Sequence, residues 1–170
     1  MAAGQLTIHY HRDFDGISAG AMLAEALEAT GREQEVTWSG VNFDRTLEWD
    51  QFALGERFAV VDFHYHQRAE YWFDHHPTTF LTSEDEQSFQ QDDRRRFDPK
   101  SPSCPPIILE HAREAWGWNP GTRFDELVQW SNIIDSASFK NAKQALFDIN
   151  LDFKEQLKLD SPFFKELSDI

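Results

Sequence analysis

Leu6-Thr7-Ile8-His9-Tyr10-His11-Arg12-Asp13-Phe14-Asp15-Gly16 is the stretch whose reading decides the fold. It begins as a short strand, runs into a turn carrying two histidines and two aspartates, and is closed by a glycine. Ile17, Ala21, Ala24 and Leu27 follow at helical spacing with alanine between them, which predicts a helix over residues 16–29, stopped near Gly31. Strand, acidic turn and helix in that order mark the carboxyl edge of an open α/β sheet, where ligands collect.

Working outward, Phe58-Ala59-Val60-Val61 is a continuous apolar run ending in Asp62, the pattern of a strand buried on both faces of a parallel sheet. Tyr71-Trp72-Phe73 does the same and ends in Asp74-His75-His76-Pro77. Glu35 to Ser39 predicts a further strand, and residues 40–54 a polar connection. Thr82 to Asp93 reads as a flexible polar excursion, and Arg94 to Ser103 as a basic segment broken by Pro99 and Pro102. Pro105 and Pro106 suit the first turn of a helix that Ser103 or Cys104 precedes and that runs through Ile108, Leu109 and Ala112 to Trp116. Thr122, with Asp125 three residues on, is the expected cap of another helix. Its packed stripe is Phe124, Leu127, Val128, Ser131 and Ile134, and Asp135 lies at its end. From Phe139 to Ile170 the pattern is helical in pieces, with Leu146, Ile149, Phe153 and Leu157 spaced for packing. The expectation is one three-layer α/β/α domain over residues 1–170 with a mainly parallel sheet. Its motifs lie within 6–135 and its C-terminal part, 136–170, is helical.

Composition narrows the classes. A chain of 170 residues, 40% apolar and 14% aromatic, has the material for one domain with a real core and is not a disordered sequence. A net charge of −14 argues against broad contact with a nucleic-acid backbone. Carboxylates that hold cations add to such a total, however, and the cations invert the field a phosphate feels locally. Cys104 is the single cysteine, so no internal disulfide forms, and the N-terminus lacks the basic and apolar regions of a signal peptide; a reducing cytoplasm is expected. No window is apolar enough to span a bilayer, so no membrane association is expected. Nothing in the sequence sets an oligomeric state.

Chemistry-bearing residues gather at the predicted strand ends: His9, Asp13, Asp15, Asp62, His75 and His76, joined by Asp135. A carboxylate and imidazole mixture without thiolate suits Mn²⁺ or Mg²⁺ better than structural Zn²⁺. If strand geometry persists into the turn, His9, Asp13 and Asp15 share one face. Plainer readings stand beside these. An Asp- and Gly-bearing turn also caps helices, and His11, His64 and His66 read as surface or hydrogen-bonded groups, the last two close enough to Asp62 to brace it. Arg12 is placed either to contact a phosphate or to pair with a carboxylate. Arg94, Arg95, Arg96 and Lys100 form the dense basic patch of a solvated loop. Ser103, at a predicted helix start, offers its hydroxyl to an anion or simply caps the helix. Cys104 reads as inert, and the aromatic residues as core rather than as a base-stacking platform.

This set of motifs resembles the DHH phosphoesterase superfamily, which includes RecJ-like exonucleases, nanoRNA and cyclic-dinucleotide phosphodiesterases, exopolyphosphatases and family II inorganic pyrophosphatases. The namesake motif is matched by Asp74-His75-His76, the first motif by His9 with Asp13-Phe14-Asp15-Gly16, the second by Asp62 and the fourth by Asp135, in the family's order. The resemblance implies that His9 and Asp13 hold one metal, that Asp15, His75 and Asp135 hold the second, and that Asp62 bridges both. His76 then orients the phosphate or donates to the leaving oxygen; Arg12 and Ser103 are expected as further substrate contacts from their own positions, not from the resemblance. The implied cofactor is a pair of Mn²⁺ ions, with Mg²⁺ or Co²⁺ as substitutes. Two divalent cations about 3.5–4 Å apart neutralise the phosphate, activate a water and stabilise the entering and leaving oxygens of an in-line displacement. The implied activity is hydrolysis of phosphodiesters in short oligonucleotides, that is short single-stranded nucleic acid, or in nucleotide-derived substrates. Cleavage of pyrophosphate or polyphosphate is the alternative within enzymes, and a non-catalytic metal- or nucleotide-binding module is the alternative outside them. Most members of the family carry a second domain with a glycine-rich, histidine-containing motif. With no Gly-Gly pair and no glycine after Gly121, no such substrate-binding domain is expected within this chain.

Overall fold

Alternation along the first strand, β1 (Leu6–His11), sends Leu6, Ile8 and Tyr10 into one core and turns His9 and His11 toward the opposite face. The structure is a computed structural model that describes residues 4–43, 49, 52 and 54–140. Within them β1 is followed by α1 (Phe14–Ala29), β2 (Val36–Val41), β3 (Phe58–Val61), β4 (Tyr71–Asp74), α2 (Ser83–Ser88), β5 (Arg95–Phe97), α3 (Pro105–Trp116) and α4 (Asp125–Asp135). The five strands form one parallel sheet in the order β2-β1-β3-β4-β5.

That order divides the molecule. The chain steps from β1 outward to β2, then reverses and crosses back over β1 to β3, β4 and β5. Right-handed crossovers, the rule for parallel sheets, put connections made in opposite directions on opposite faces. Accordingly α1 packs on the first face with Ala59, Val61, Tyr71 and Phe73. The later connections cover the second face through Trp49, Leu54, Phe63, Tyr65 and Ala69, backed by Phe80 and Phe89. Helices α3 and α4 return to the first face and pack against α1. The small residues Ala19, Gly20, Ala21, Ala24 and Ala26 let three neighbours approach α1, so it is buried on nearly every side. The three layers are therefore a helical layer, the sheet, and a layer of aromatic-rich connections with the short α2.

All four residues of β3 are buried, as the unbroken apolar run predicts; each large side chain removed from water contributes about 1.5–3 kcal/mol. Other expectations need correction. β2 begins one residue later than the apolar pattern suggests and extends through Gly40 and Val41, where pairing with Tyr10 and His11 continues it. Residues 83–88, expected to be flexible, form α2. The Thr82 hydroxyl accepts the Asp85 N–H at 3.1 Å, and three acidic residues lie in its first turn, where the helix dipole favours them. The basic segment contains an edge strand, β5, too short and too polar to show a two-residue period. Thr122 is not the cap of α4: it lies in a preceding turn, its carbonyl accepting the Asp125 N–H, and Phe124 occupies the cap position without a side-chain bond. Ser136 to Lys140 continue as turn and irregular chain, with Ala137 left-handed at φ 51°, and the helical reading beyond lies outside the described residues. No described helix is long and apolar enough to cross a membrane.

Candidate metal centre

Because the sheet order reverses between β1 and β3, the connections leaving these two strands part to opposite faces at their carboxyl ends, the place where α/β sheets bind ligands. Asp13 follows β1 there, Asp62 follows β3, and Asp74, His75 and His76 follow from β4. Asp13 is the N-cap of α1, its Oδ1 accepting the Gly16 N–H at 2.9 Å. Gly16 has to be a glycine: a Cβ would overlap the carbonyl of His11, so the turn folds tightly enough to bring His11 and Asp13 together. Asp62 is fully buried and left-handed, with φ 55°. Such a backbone costs a non-glycine residue of order 1–3 kcal/mol and is held only where the surroundings demand it, here by the Asp62 N–H donating to the Phe73 carbonyl at 2.9 Å.

Two groups of ligand atoms meet at Asp62. On one side His11 Nδ1 lies 2.7 Å from Asp13 Oδ2 and 3.7 Å from Asp62 Oδ2. On the other, His75 Nε2 lies 3.5 Å from Asp15 Oδ2, from Asp62 Oδ1 and from Asp135 Oδ2 alike. Yet His75 Nε2, Asp15 Oδ1 and both Asp62 oxygens are buried and make no hydrogen bond. Buried polar atoms are normally paired. Separations of 3.5 Å are too long for direct bonds, but they match the spacing of ligands around a shared cation with bonds near 2.1 Å. The orientation of His75 agrees: its Nδ1–H donates to the Ser101 carbonyl at 3.2 Å, which aims the other nitrogen at the three carboxylates, the usual bracing of a metal-ligating imidazole. Among the described residues three groups of side chains are close enough to hold a cation, His11 with Asp13 and Asp62, Asp15 with His75 and Asp135, and Asp62 with Asp74, His75 and His76, and their oxygen and nitrogen donors, with no thiolate, are the kind a Mn²⁺-like ion takes.

Electrostatics without a cation show the same demand. Burial and the Asp62 charge raise Asp15 well above the carboxylate range. Burial also works to raise Asp62, but His11 and His75 outweigh it and hold the carboxyl below its usual value. Burial opposes the charge of His75 and His11, yet the facing carboxylates prevail, pushing His75 up to about 11 and His11 up to about 10. Protonated imidazoles stand in for cations among otherwise uncompensated carboxylates.

His76 is set apart. Its Nδ1–H donates to Asp74 Oδ1 at 2.9 Å, and this bond raises its pKa. Asp74 itself is fully buried. The pair orients an imidazole with Nε2 directed away from Asp74, on a side chain that is one-third open.

The remaining predicted site residues fall as follows. His9, Asp13 and Asp15 do not share a face, because strand geometry ends at His11: Asp13 caps the helix and Asp15 lies in its first turn, facing His11 and His75 respectively. His9 Nε2–H donates to the Leu54 carbonyl at 2.9 Å, its buried Nδ1 has no partner, and burial lowers its pKa, so it is a neutral imidazole with a bare lone pair. In the group around Asp13, however, the imidazole is that of His11. His11 was legible as a candidate from its two-residue offset from His9, which places both on one strand face. Asp74, as the group that orients His76, was legible from its place two residues before it. Ser103 lies two residues before α3. It is fully buried and its hydroxyl donates to Asn132 Oδ1 at 2.6 Å, which ties α4, and with it Asp135, to the start of α3. The first free N–H of α3 is likewise taken, Cys104 N–H donating to Asp15 Oδ2 at 2.8 Å. Arg12 is exposed and lays its stem across Gly40, where a Cβ would come 2.5 Å from Arg12 Cγ. No family model matches the chain, and no curated protein matches it.

Proposed function

We propose that the protein is a Mn²⁺-dependent phosphoesterase that hydrolyses phosphodiester bonds in short oligonucleotides or nucleotide-derived substrates. The observation that carries this reading is Asp62: a fully buried carboxylate in a left-handed backbone, both oxygens unbonded, one facing His11 and the other His75. A carboxylate held that way is suited to bridge two cations. The resemblance of the motif order to the DHH phosphoesterases supports the same reading, with His11 added to the ligand candidates beside His9.

Two bound divalent cations supply charge neutralisation of the phosphate and an activated water. The protein's own groups do the rest. Asp13 and His11 form one side of the cradle, and Asp15, His75 and Asp135 the other. The N-terminus of α1, with its positive dipole end, adds to the attraction for an anion. His76, whose bond to Asp74 favours its protonated form, turns Nε2 away from that carboxylate, where its N–H orients a phosphate oxygen or gives its proton to the leaving alkoxide. Among the described residues no serine or cysteine is placed as a nucleophile for a covalent route; the Cys104 thiol is buried and its Sγ–H is donated to the Phe73 carbonyl. A lone buried thiol fits a reducing compartment such as the cytoplasm.

The test is turnover of bis-nitrophenyl phosphate or a dinucleotide against turnover of pyrophosphate, in Mn²⁺. Hydrolysis of the esters, lost in Asp62→Asn, is expected. Turnover of pyrophosphate alone would move the assignment to phosphoanhydride cleavage, and metal binding without any turnover would make the protein a binding module.

A further inference from the structure

Single exposed apolar side chains are ordinary, but Phe43 stands beside the carboxylate and imidazole cluster. With 51% of its surface open, it stacks on the buried ring of Phe63 (centroids 4.4 Å, planes 29° apart), the residue next to Asp62. The rings of His11, His64 and His76 surround it at 4.7, 5.0 and 6.4 Å. It therefore stands at the lip of the metal centre, between a candidate ligand and the candidate proton donor, and half of its surface meets solvent rather than protein.

We propose that Phe43 is the specificity-determining residue of the site: it stacks against a nucleobase of the substrate whose phosphate is drawn to Asp62 and His76. This rests on the phosphoesterase reading above and deepens it. Every base has a π face, so such a platform is tolerant of sequence. The separation between Phe43 and His76 suits a base and the phosphate of one nucleotide, not a distant part of a polymer. An inorganic polyphosphate would bring only anionic oxygens to this ring and gain nothing from it. The net charge of −14 also disfavours a long anionic strand beyond the centre, so a mono- or dinucleotide ester suits the surface best.

The experiment compares a dinucleotide with the same sugar-phosphate lacking its bases, and with pyrophosphate, on the full chain loaded with Mn²⁺. Phe43→Ala is expected to raise KM for the dinucleotide about tenfold with kcat little changed, to leave the abasic ester unchanged, and to be rescued by Phe43→Trp. Calorimetric binding of the dinucleotide to the same variants reports stacking without turnover. If the dinucleotide binds in a Phe43-dependent way but is not cleaved, the hydrolase reading fails and stacking stands. If it is cleaved with the same KM in Phe43→Ala, stacking is overturned and the hydrolase reading stands. Equal losses on the abasic and base-carrying esters would overturn stacking too, because they would make Phe43 a prop for His11.

Discussion

Replacing Asp62 with asparagine isolates the feature on which the centre depends. Asparagine keeps the size of the side chain and tolerates the left-handed backbone that Asp62 adopts, so the substitution removes charge without adding strain. A cation at a hundred times its Kd stabilises the fold by about 2.7 kcal/mol, and two independent sites by about 5 kcal/mol. For a chain of this size about 2–4 °C accompanies each kcal/mol, so saturating Mn²⁺ should raise Tm by roughly 10–20 °C. Asp62 Oδ1 faces His75 and Oδ2 faces His11, so Asp62→Asn acts on both sites and should reduce the shift to a few degrees. Asp135 belongs to one group only. Asp135→Asn should keep about half the shift, and metal analysis should count one ion in place of two. Because His11 and His75 hold the Asp62 carboxyl below its usual pKa, the metal-free variant should also melt lower, so the shift is measured within each protein by thermal denaturation with and without chelator. A full Mn²⁺ shift in Asp62→Asn, or an Asp135→Asn shift as small as that of Asp62→Asn, would refute a shared bridging carboxylate.

Other consequences concern the scaffold. In the chelated protein the folded-state pKa of His75, about 11, lies above its unfolded value. Its contribution to stability is therefore complete below about pH 6.5, declines above it, and is gone once the pH has risen through about 11. Urea midpoints should fall over that window more steeply than in His75→Asn, and parallel profiles would contradict the pairing. Gly16→Ala forces a methyl against the His11 carbonyl and should cost about 1–3 kcal/mol by urea denaturation while weakening Mn²⁺ binding; unchanged stability would mean the turn relaxes freely. Ser103→Ala leaves Asn132 without its donor and should destabilise by about 1 kcal/mol with no change in KM for a phosphate ester, whereas a large rise in KM would restore Ser103 as a substrate contact.

What could be read from the chain alone follows from how local each signal is. β3 and β4 declare themselves because burial on both faces leaves no polar residue inside the run, and α1 because its small and apolar residues repeat over four turns. β5 does not: a three-residue edge strand is made by Trp72, Phe73 and Asp74 offering their partners, and its own sequence, Arg95-Arg96-Phe97, carries no period. The ligand candidates were legible as types at strand ends, but which imidazole joins Asp13 depends on where β1 stops. Had strand geometry continued, His9, Asp13 and Asp15 would have lined one face. Instead the Asp13 cap bond to Gly16 N–H starts α1 three residues after His11, and the turn swings Asp13 back onto His11 while His9 stays in the sheet, bonded to Leu54. The neutral, lone-pair-bearing His9 and the protonated His11 are then a measurable contrast: if a cation takes His11, its imidazolium proton must leave on binding, and if it takes His9, none has to. Calorimetry of Mn²⁺ binding in buffers of differing ionisation enthalpy counts those protons, and His11→Ala should lower the count by about one while His9→Ala leaves it unchanged. A count that falls in neither variant would mean that His11 stays protonated beside the bound metal, and would return the ligand role to His9.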